Sequence, residues 1–358
     1  MIFILFSVLT ATSVLAVSVS NETELREAIM NAGTTSTTIT LTTDIKLVSN
    51  LIIPARACIT LTSAEGTMFN LIATRDMDTI RVEGAIQPQL AAFLTIDNIG
   101  VTRIDGTRGS GVRNSGNLTM ISGRISGNSG GAGSGVNNDN RRSSPIFTMY
   151  GGTISGNHGG DNGGGGVNNL GSTFIMHGGT ISDNSAGVGG GMRGGTFTMY
   201  GGTISNNTAS RSGGGVQIGG TFIMHGGTIA NNAAWEGGGV NQNGGVFTMH
   251  GGTISGNTAD RNGGGVNNSP RGNFTIYGGW IFNNIAANDS NLHLGRDAIF
   301  HDNLFLNPSG GAIGSGPPSG AAVIPAPVAA PFPAVVSVPI NTPTPISSPV
   351  STRPQWLP

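Results

Sequence analysis

The stretch that decides the fold is Phe147-Thr-Met-Tyr-Gly-Gly-Thr-Ile-Ser-Gly-Asn157, because the chain repeats it with small changes along much of its length. Close copies begin at Phe174, Phe197, Phe222, Phe247 and Phe274, and weaker copies begin at Leu118 and Phe93. Successive starts are 23 to 29 residues apart, with a mean of about 26. A drifting period of this size predicts a solenoid in which each copy forms one coil stacked on the last.

Within each copy, short runs of alternating apolar and polar residues are separated by glycines. Such alternation predicts β-strands, and the glycines predict bends between them. In the copy that begins at Phe147, Gly151-Gly152 marks one bend and Gly156-Asn157 another, and a variable loop leads to a third strand, Gly164-Gly-Gly-Val-Asn-Asn169. Three short strands and three bends per coil describe an all-β parallel β-helix with coils about 4.8 Å apart.

The repeat predicts about 8 regular coils over roughly 93–284, preceded by less regular coils, within a β-helix that spans 35–306. Alternation places Phe, Met, Ile and Val rows inside, and an Asn row at one bend. Stacked Asn side chains would hydrogen-bond from coil to coil. The Phe and Asn rows are Leu118, Phe147, Phe174, Phe197, Phe222, Phe247, Phe274; and Asn128, Asn157, Asn184, Asn207, Asn232, Asn257, Asn284.

The N-terminus predicts export followed by a capping helix. Residues 1–16 form an apolar segment that ends in a small-residue cleavage site, which is typical of a signal peptide. The alternative is a short membrane anchor, and an uncleaved N-terminus is the only membrane contact that we expect. In the segment 17–34, Asn21 is a helix N-cap and Gly33 a stop, so a short helix would cover the open end of the first coil.

Composition restricts the remaining possibilities. The chain has a formal charge of −1 and only 10% charged residues, so no basic field is available to hold a nucleic acid. The single cysteine, Cys58, excludes an internal disulfide. Residues 307–358 are rich in Pro and Ala and predict a disordered tail or stalk. The expected location is therefore outside the cell, either secreted or at the cell surface.

In its repeats the sequence resembles the right-handed parallel β-helix proteins of pectin-lyase-like fold. It is most similar to microbial adhesin-like surface proteins that carry Gly-Gly-Thr-Ile-Ser-Gly-Asn repeats. The pairing of Ile154-Ser-Gly-Asn157 with Gly164-Gly-Gly-Val167 also resembles the repeats of chlamydial polymorphic outer-membrane proteins, with Ile in place of Phe and Gly in place of Ala. The resemblance covers about residues 20–305. It implies a right-handed β-helix used for surface display and adhesion.

An enzyme on this fold would need carboxylates gathered on neighbouring coils. No Asp or Glu occupies a repeated strand position, and the candidates that lie nearest one another are Asp97, Arg103 and Asp105. They would serve a polysaccharide lyase or hydrolase whose site lies in the irregular N-terminal coils. The alternative is that all three are solvated surface charges. No metal or cofactor is expected.

The most suggestive surface feature is a row of aromatic residues directly after the inward Met row. Its rings would form a platform for sugar faces or for a partner's aromatic side chains. The alternative is that the rings stack on one another and only stabilise the coils. The expected partners are surface glycans or proteins of a host or cell surface. The row consists of Tyr150, His177, Tyr200, His225, His250 and Tyr277.

Two rows of threonine add a further possibility, since regularly spaced hydroxyl and methyl groups are able to order water. Outward threonine is also common on any strand surface. The leading hypothesis is an exported, non-enzymatic β-helix with an adhesive or structural display role. The alternatives are a carbohydrate-active enzyme and, with less support, an ice-binding protein. The threonine rows are Thr148, Thr198, Thr248, Thr275; and Thr153, Thr180, Thr203, Thr228, Thr253.

Overall fold

A computed structural model describes residues 15–131, 133–138, 143–289 and 292–293, and the backbone of 298–300. These residues form a parallel β-solenoid of about 11 turns, which confirms the predicted fold class. Most of the predicted signal peptide and the whole predicted tail lie outside the described residues.

The start of each turn contributes one strand to each of two parallel sheets, named sheet A and sheet B. Within the described residues sheet A has 12 strands and sheet B has 10. The strands of sheet A are Leu15–Val19, Ser36–Leu41, Cys58–Ser63, Phe93–Ile96, Asn117–Met120, Ile146–Met149, Thr173–Met176, Thr196–Met199, Thr221–Met224, Gly245–Met249, Gly272–Ile276 and Ala298–Phe300. The strands of sheet B are Ile45–Leu47, Asn70–Ala73, Gly100–Arg103, Arg124–Ser126, Thr153–Ser155, Thr180–Ser182, Thr203–Ser205, Thr228–Ala230, Thr253–Ser255 and Trp280–Phe282.

The end of each turn forms sheet C, with 10 strands in the described part of the chain. Its strands are Leu51–Ile53, Ile80–Val82, Val112–Asn114, Val136–Asn138, Val167–Asn168, Met192–Arg193, Val216–Ile218, Val240–Gln242, Val266–Asn268 and Leu292–His293. The expectation of three strands per coil is wrong for the regular turns, since the variable loop also forms a strand. These strands make up sheet D and are Ser129–Gly130, His158–Gly159, Ser185–Val188, Thr208–Ser212, Ala233–Glu236, Thr258–Asn262 and Ile285–Asn288.

The core is a stack of identical side chains. Phe147 pairs in register with Phe174, and the same pairing continues to Phe274. Neighbouring rings in this row lie 4.6 to 5.0 Å apart between centroids, and all of them are buried. The predicted Met, Ile and Val rows are buried as well. Each such side chain contributes roughly 1.5–3 kcal/mol, so the stacked interior stabilises the solenoid.

The weak copy predicted to begin at Phe93 is displaced by one residue. Leu94, rather than Phe93, pairs with Leu118 and is buried, whereas Phe93 points outward and is 46% exposed. A shift of one residue moves every side chain of a strand to the opposite face. The strand Phe93–Ile96 is apolar at three positions, so composition alone does not distinguish its two faces.

The predicted capping helix is present as α1, Glu22–Ala32. The backbone N–H of Glu24 donates to Asn21 Oδ1 at 3.0 Å, and Gly33 ends the helix with a φ of 55°. Leu25 and Ile29 are buried against the first turns. The helix therefore covers apolar surface at the start of the solenoid. Among the irregular N-terminal turns, a 3-10 turn at Pro88–Leu90 precedes the sheet A strand Phe93–Ile96.

The Asn row forms a continuous buried ladder. Asn207 Nδ2 donates to Asn232 Oδ1 at 3.0 Å and to the carbonyl of Ile181 at 2.9 Å. Its Oδ1 accepts from both the Nδ2 and the backbone N–H of Asn184. The same side-chain bond links each pair of neighbours from Asn128 to Asn284. The ladder therefore satisfies polar groups at a bend that is closed to solvent.

Replacing Asn207 with Ala should destabilise the protein by about 1–3 kcal/mol, because it leaves the buried backbone N–H of Asn184 without an acceptor and removes the side-chain donor to Asn232 Oδ1. The measurement is urea unfolding followed by circular dichroism. The control is Asn273→Ala, which changes an exposed amide on sheet A. Equal stability of the two variants would show that the ladder does not stabilise the fold.

The second glycine of each Gly-Gly pair is required by both conformation and space. Gly202 has a φ of 88°, and a Cβ at this position would lie 2.6 Å from Met176 Cε and 2.8 Å from the carbonyl oxygen of Gly179. A side chain therefore meets an unfavourable backbone conformation and a collision with the turn below. The repeated Gly-Gly pair allows adjacent turns to approach each other at this corner.

Gly202→Ala should cost at least about 1–2 kcal/mol, the penalty of the left-handed conformation alone. Gly219→Ala is the matched control, because a Cβ there meets nothing within 4 Å and its φ is not positive. Thermal melts of the two variants make the comparison. If both melt at the same temperature, the corner does not need glycine.

Candidate binding surfaces

The outer face of sheet A is flat, repetitive and without formal charge from Tyr150 to Tyr277, apart from any protonated histidine. Three columns of outward side chains run along the axis, and every member is half-buried or exposed. The columns are Ile146, Thr173, Thr196, Thr221, Val246, Asn273; Thr148, Ile175, Thr198, Ile223, Thr248, Thr275; and Tyr150, His177, Tyr200, His225, His250, Tyr277. This surface is named the sheet A face below.

The aromatic row stands at the corner where sheet A ends. Successive rings lie 4.8 to 5.1 Å apart between centroids, with interplanar angles of 5° to 8°. Tyr150, Tyr200 and Tyr277 are 40%, 50% and 49% exposed. The rings therefore stack on one another, as the stacking interpretation predicts, while the row remains accessible to solvent.

This geometry limits what the row is able to bind. Each of the four inner rings, from His177 to His250, is covered on both faces by its neighbours. A sugar ring stacks on an aromatic face, and the spacing leaves no room for one between two turns. The row instead offers ring edges, with tyrosine hydroxyls and imidazole nitrogens as hydrogen-bonding groups.

Two histidines of the row have lowered pKa values. Partial burial lowers the pKa of His177. Partial burial also lowers the pKa of His225, and the positive charge of the neighbouring His250 lowers it further. His225 and His250 are stacked at 5.1 Å, so protonating both places like charges together.

Acidification should therefore lower the stability that the aromatic row contributes to the fold. The folded pKa of His225 lies below its ordinary value of 6.5, so the unfolded chain binds the proton more readily. The stability contributed by the neutral ring is present above pH 6.5 and is lost as the pH falls through the folded pKa. His225→Tyr places at this position the residue found at Tyr200, and it should lose less stability between pH 7 and pH 5 than the wild type does. Melting temperatures measured across this range test the prediction, and parallel pH profiles for the two proteins would contradict it.

The threonine row of sheet A is longer than the repeats alone suggest. In the column of Thr148, ten consecutive turns carry eight Thr and two Ile residues, all half-buried. The interruptions are Ile175 and Ile223. The column runs Thr38, Thr60, Thr95, Thr119, Thr148, Ile175, Thr198, Ile223, Thr248, Thr275.

The three residues considered for catalysis do not form one site. Asp97 precedes the sheet B strand Gly100–Arg103 and accepts a hydrogen bond from Ser122 Oγ at 2.7 Å. Arg103 stands at the opposite end of that strand, and its side chain is buried. Asp105 lies in the exposed turn that follows. Asp97 and Arg103 contact different residues, so Asp97 and Asp105 do not form a pair of carboxylates around Arg103.

Arg103 instead belongs with two aspartates that the sequence analysis did not single out. Its Nη2 donates to the carbonyls of Met77 and Ser110 at 3.0 and 3.2 Å. Burial lowers the pKa of Arg103, and the charges of Asp78 and Asp76 partly oppose this effect. A local signal was present, since five of the nine residues from 75 to 83 are charged in a chain where only 10% are.

No protein-family model, curated protein or solved structure matches this chain. Its class, a parallel β-solenoid, therefore rests on its own strand pairing. Within the part of the chain that the structure describes, no helix has the length and apolar character needed to cross a membrane. Among those same residues, no group of three or more His, Cys, Asp or Glu side chains is arranged to hold a metal ion.

Proposed function

We propose that this chain is an exported β-solenoid that acts in adhesion or structural display at a cell surface or outside the cell, and that it is not an enzyme. The observation that carries the proposal is the sheet A face, which presents the same three columns of side chains on six successive turns. Such a surface suits weak contacts that are multiplied along its length. Surface glycans or cell-surface proteins are the proposed partners.

Three features support display rather than catalysis. The three columns of the sheet A face offer hydroxyls, imidazoles and apolar groups, and they contain no carboxylate of the kind that a polysaccharide lyase or hydrolase uses. Asp97, Arg103 and Asp105, the residues considered for a polysaccharide lyase or hydrolase, have separate surroundings. The resemblance to microbial adhesin-like repeats and to pectin-lyase-like β-helices agrees with surface display. A carbohydrate-active enzyme remains the alternative proposal.

Shortening the solenoid should lower binding gradually. Removing residues 197–221 deletes one turn in register, because Phe197 and Phe222 occupy the same position in adjacent turns. Removing residues 197–246 deletes two turns by the same rule. Because avidity depends on the number of contacts, binding to a glycan array or to whole cells should fall with each deletion. Complete loss after one deletion, or cleavage of a uronate polymer by the full chain, would favour the enzyme.

An arginine introduced at one position should show whether binding occurs at the sheet A face or elsewhere on the surface. Thr198→Arg places a charge in the central column of that face and should reduce binding to the same array. Thr203→Arg is the matched control, since Thr203 is an equally half-buried outward threonine of the same turn on sheet B. If both variants lose binding equally, the sheet A face is not the binding surface.

Ice binding is a second candidate, favoured by the long threonine column of sheet A. Its regular spacing supports this idea, and the interruptions at Ile175 and Ile223 weaken it. A thermal hysteresis measurement on the purified protein decides the matter. A gap between freezing and melting points that disappears in Thr119→Arg would support ice binding, and the absence of a gap would exclude it.

A further inference from the structure

The described residues also contain an open depression of about 290 Å³, formed in the irregular turns away from the sheet A face. Arginine dominates its charged side chains: Arg81, Arg108 and Arg113 line it together with Asp76 and Asp78. Arg103 lies directly behind the wall, bonded to the carbonyls of the lining residues Met77 and Ser110. This depression, with Arg103 behind it, is called the arginine pocket below.

Asp78 organises the pocket. Its Oδ2 accepts a hydrogen bond from Arg81 Nε at 3.1 Å and forms an ion pair with Arg113, whose Nε lies 2.9 Å away. Its Oδ1 accepts from the backbone N–H of Ser110 at 3.1 Å, and the carboxylate is buried. Because Arg81 and Arg113 pair with the same carboxylate oxygen, this carboxylate restrains both guanidinium groups. Such preorganisation lowers the entropic cost of binding a ligand.

The pocket has an excess of positive charge. Counted over the described residues of the pocket, four arginines and two aspartates give a formal charge of +2, in a chain whose total is −1. The side chain of Arg108 is exposed, and its guanidinium has no ion pair among the described residues. The Nε and Nη1 atoms of the buried Arg103 have no hydrogen-bond acceptor among the residues that the structure describes. A buried cation behind the wall adds to the positive potential in the depression.

From these observations we propose that the arginine pocket binds an oxyanion, a carboxylate or a sulfate, carried by a molecule of monosaccharide size. A planar guanidinium group donates paired hydrogen bonds to two oxygens of such an anion. The volume lies near the lower end of the range for small-molecule sites, about 300–1,000 Å³. The two carboxylates are already engaged by Arg81, Arg113 and the backbone, so the pocket is suited to binding rather than acid/base chemistry.

Calorimetric titration of the full chain with sodium sulfate and sodium glucuronate, at constant ionic strength, tests this proposal. Both anions should bind saturably, glucuronate more tightly, and glucose should not bind. Arg108→Gln should weaken binding roughly tenfold, the usual effect of losing a charged hydrogen bond. Its melting temperature without anion should match that of the wild type, because it is the backbone of Arg108, not its side chain, that bonds to Asp76. Sulfate binding without glucuronate binding would contradict the proposal that the ligand has the size of a monosaccharide.

The control is Arg124→Gln, which removes an exposed guanidinium from a neighbouring turn outside the pocket lining. This variant should bind both anions as the wild type does. Three results would overturn the site: no saturable binding of either anion, unchanged binding in Arg108→Gln, or an equal loss in Arg124→Gln. The proposal is independent of the sheet A face, so Thr198→Arg should leave anion binding intact whether or not display is the function.

Discussion

The structure depends on one constraint, the parallel, in-register hydrogen bonding of each turn to the next in sheets A, B and C. Because the strands of these sheets are paired residue for residue with their neighbours, each strand position is repeated along the axis at the spacing of adjacent strands. A side chain at an inward position must therefore pack against the equivalent side chains of the two adjacent turns. The Phe row satisfies this requirement by ring stacking, and the Asn row does so by side-chain hydrogen bonds.

The same constraint shapes the outer surface. On the regular turns each outward position recurs with residues of similar kind, so the sheet A face presents similar groups along the axis and suits repeated weak contacts. The irregular turns are different, because insertions there bring unlike residues together. Arg103 and Asp78 interact electrostatically among these irregular turns, where the arginine pocket combines several different side chains. Repetition favours a broad surface, and irregularity favours a single pocket.

Much of the fold was predictable because apolar residues recur at fixed positions in every copy. Sheet D was missed because its strands vary in sequence and carry only a small inward residue. That residue is alanine in five consecutive turns, at Ala186, Ala209, Ala234, Ala259 and Ala286, so a weak signal existed. The one-residue error at Phe93 arose in a strand that is apolar on both faces.

The two candidate surfaces, the sheet A face and the arginine pocket, were predictable to different degrees. The aromatic row was evident because it is periodic, but only the ring geometry shows that its inner faces are covered. The arginine pocket was not evident, because its contacts join residues far apart in the sequence. Ser110 and Asp78, for example, are 32 residues apart and bond directly. Contacts across an irregular turn depend on the length of the insertion, which no repeat pattern specifies.

The most direct test of the in-register stack is a pair of distances between spin labels on the sheet A face, in a Cys58→Ser background. Ile146 and Asn273 are five turns apart in one column, and Ile146 and Val246 are four turns apart. Their backbone separations should be about 24 Å and about 19 Å, multiples of the strand spacing of about 4.8 Å. Two narrow distributions that differ by one strand spacing would agree with the stack. Equal distances, or broad distributions centred elsewhere, would contradict it.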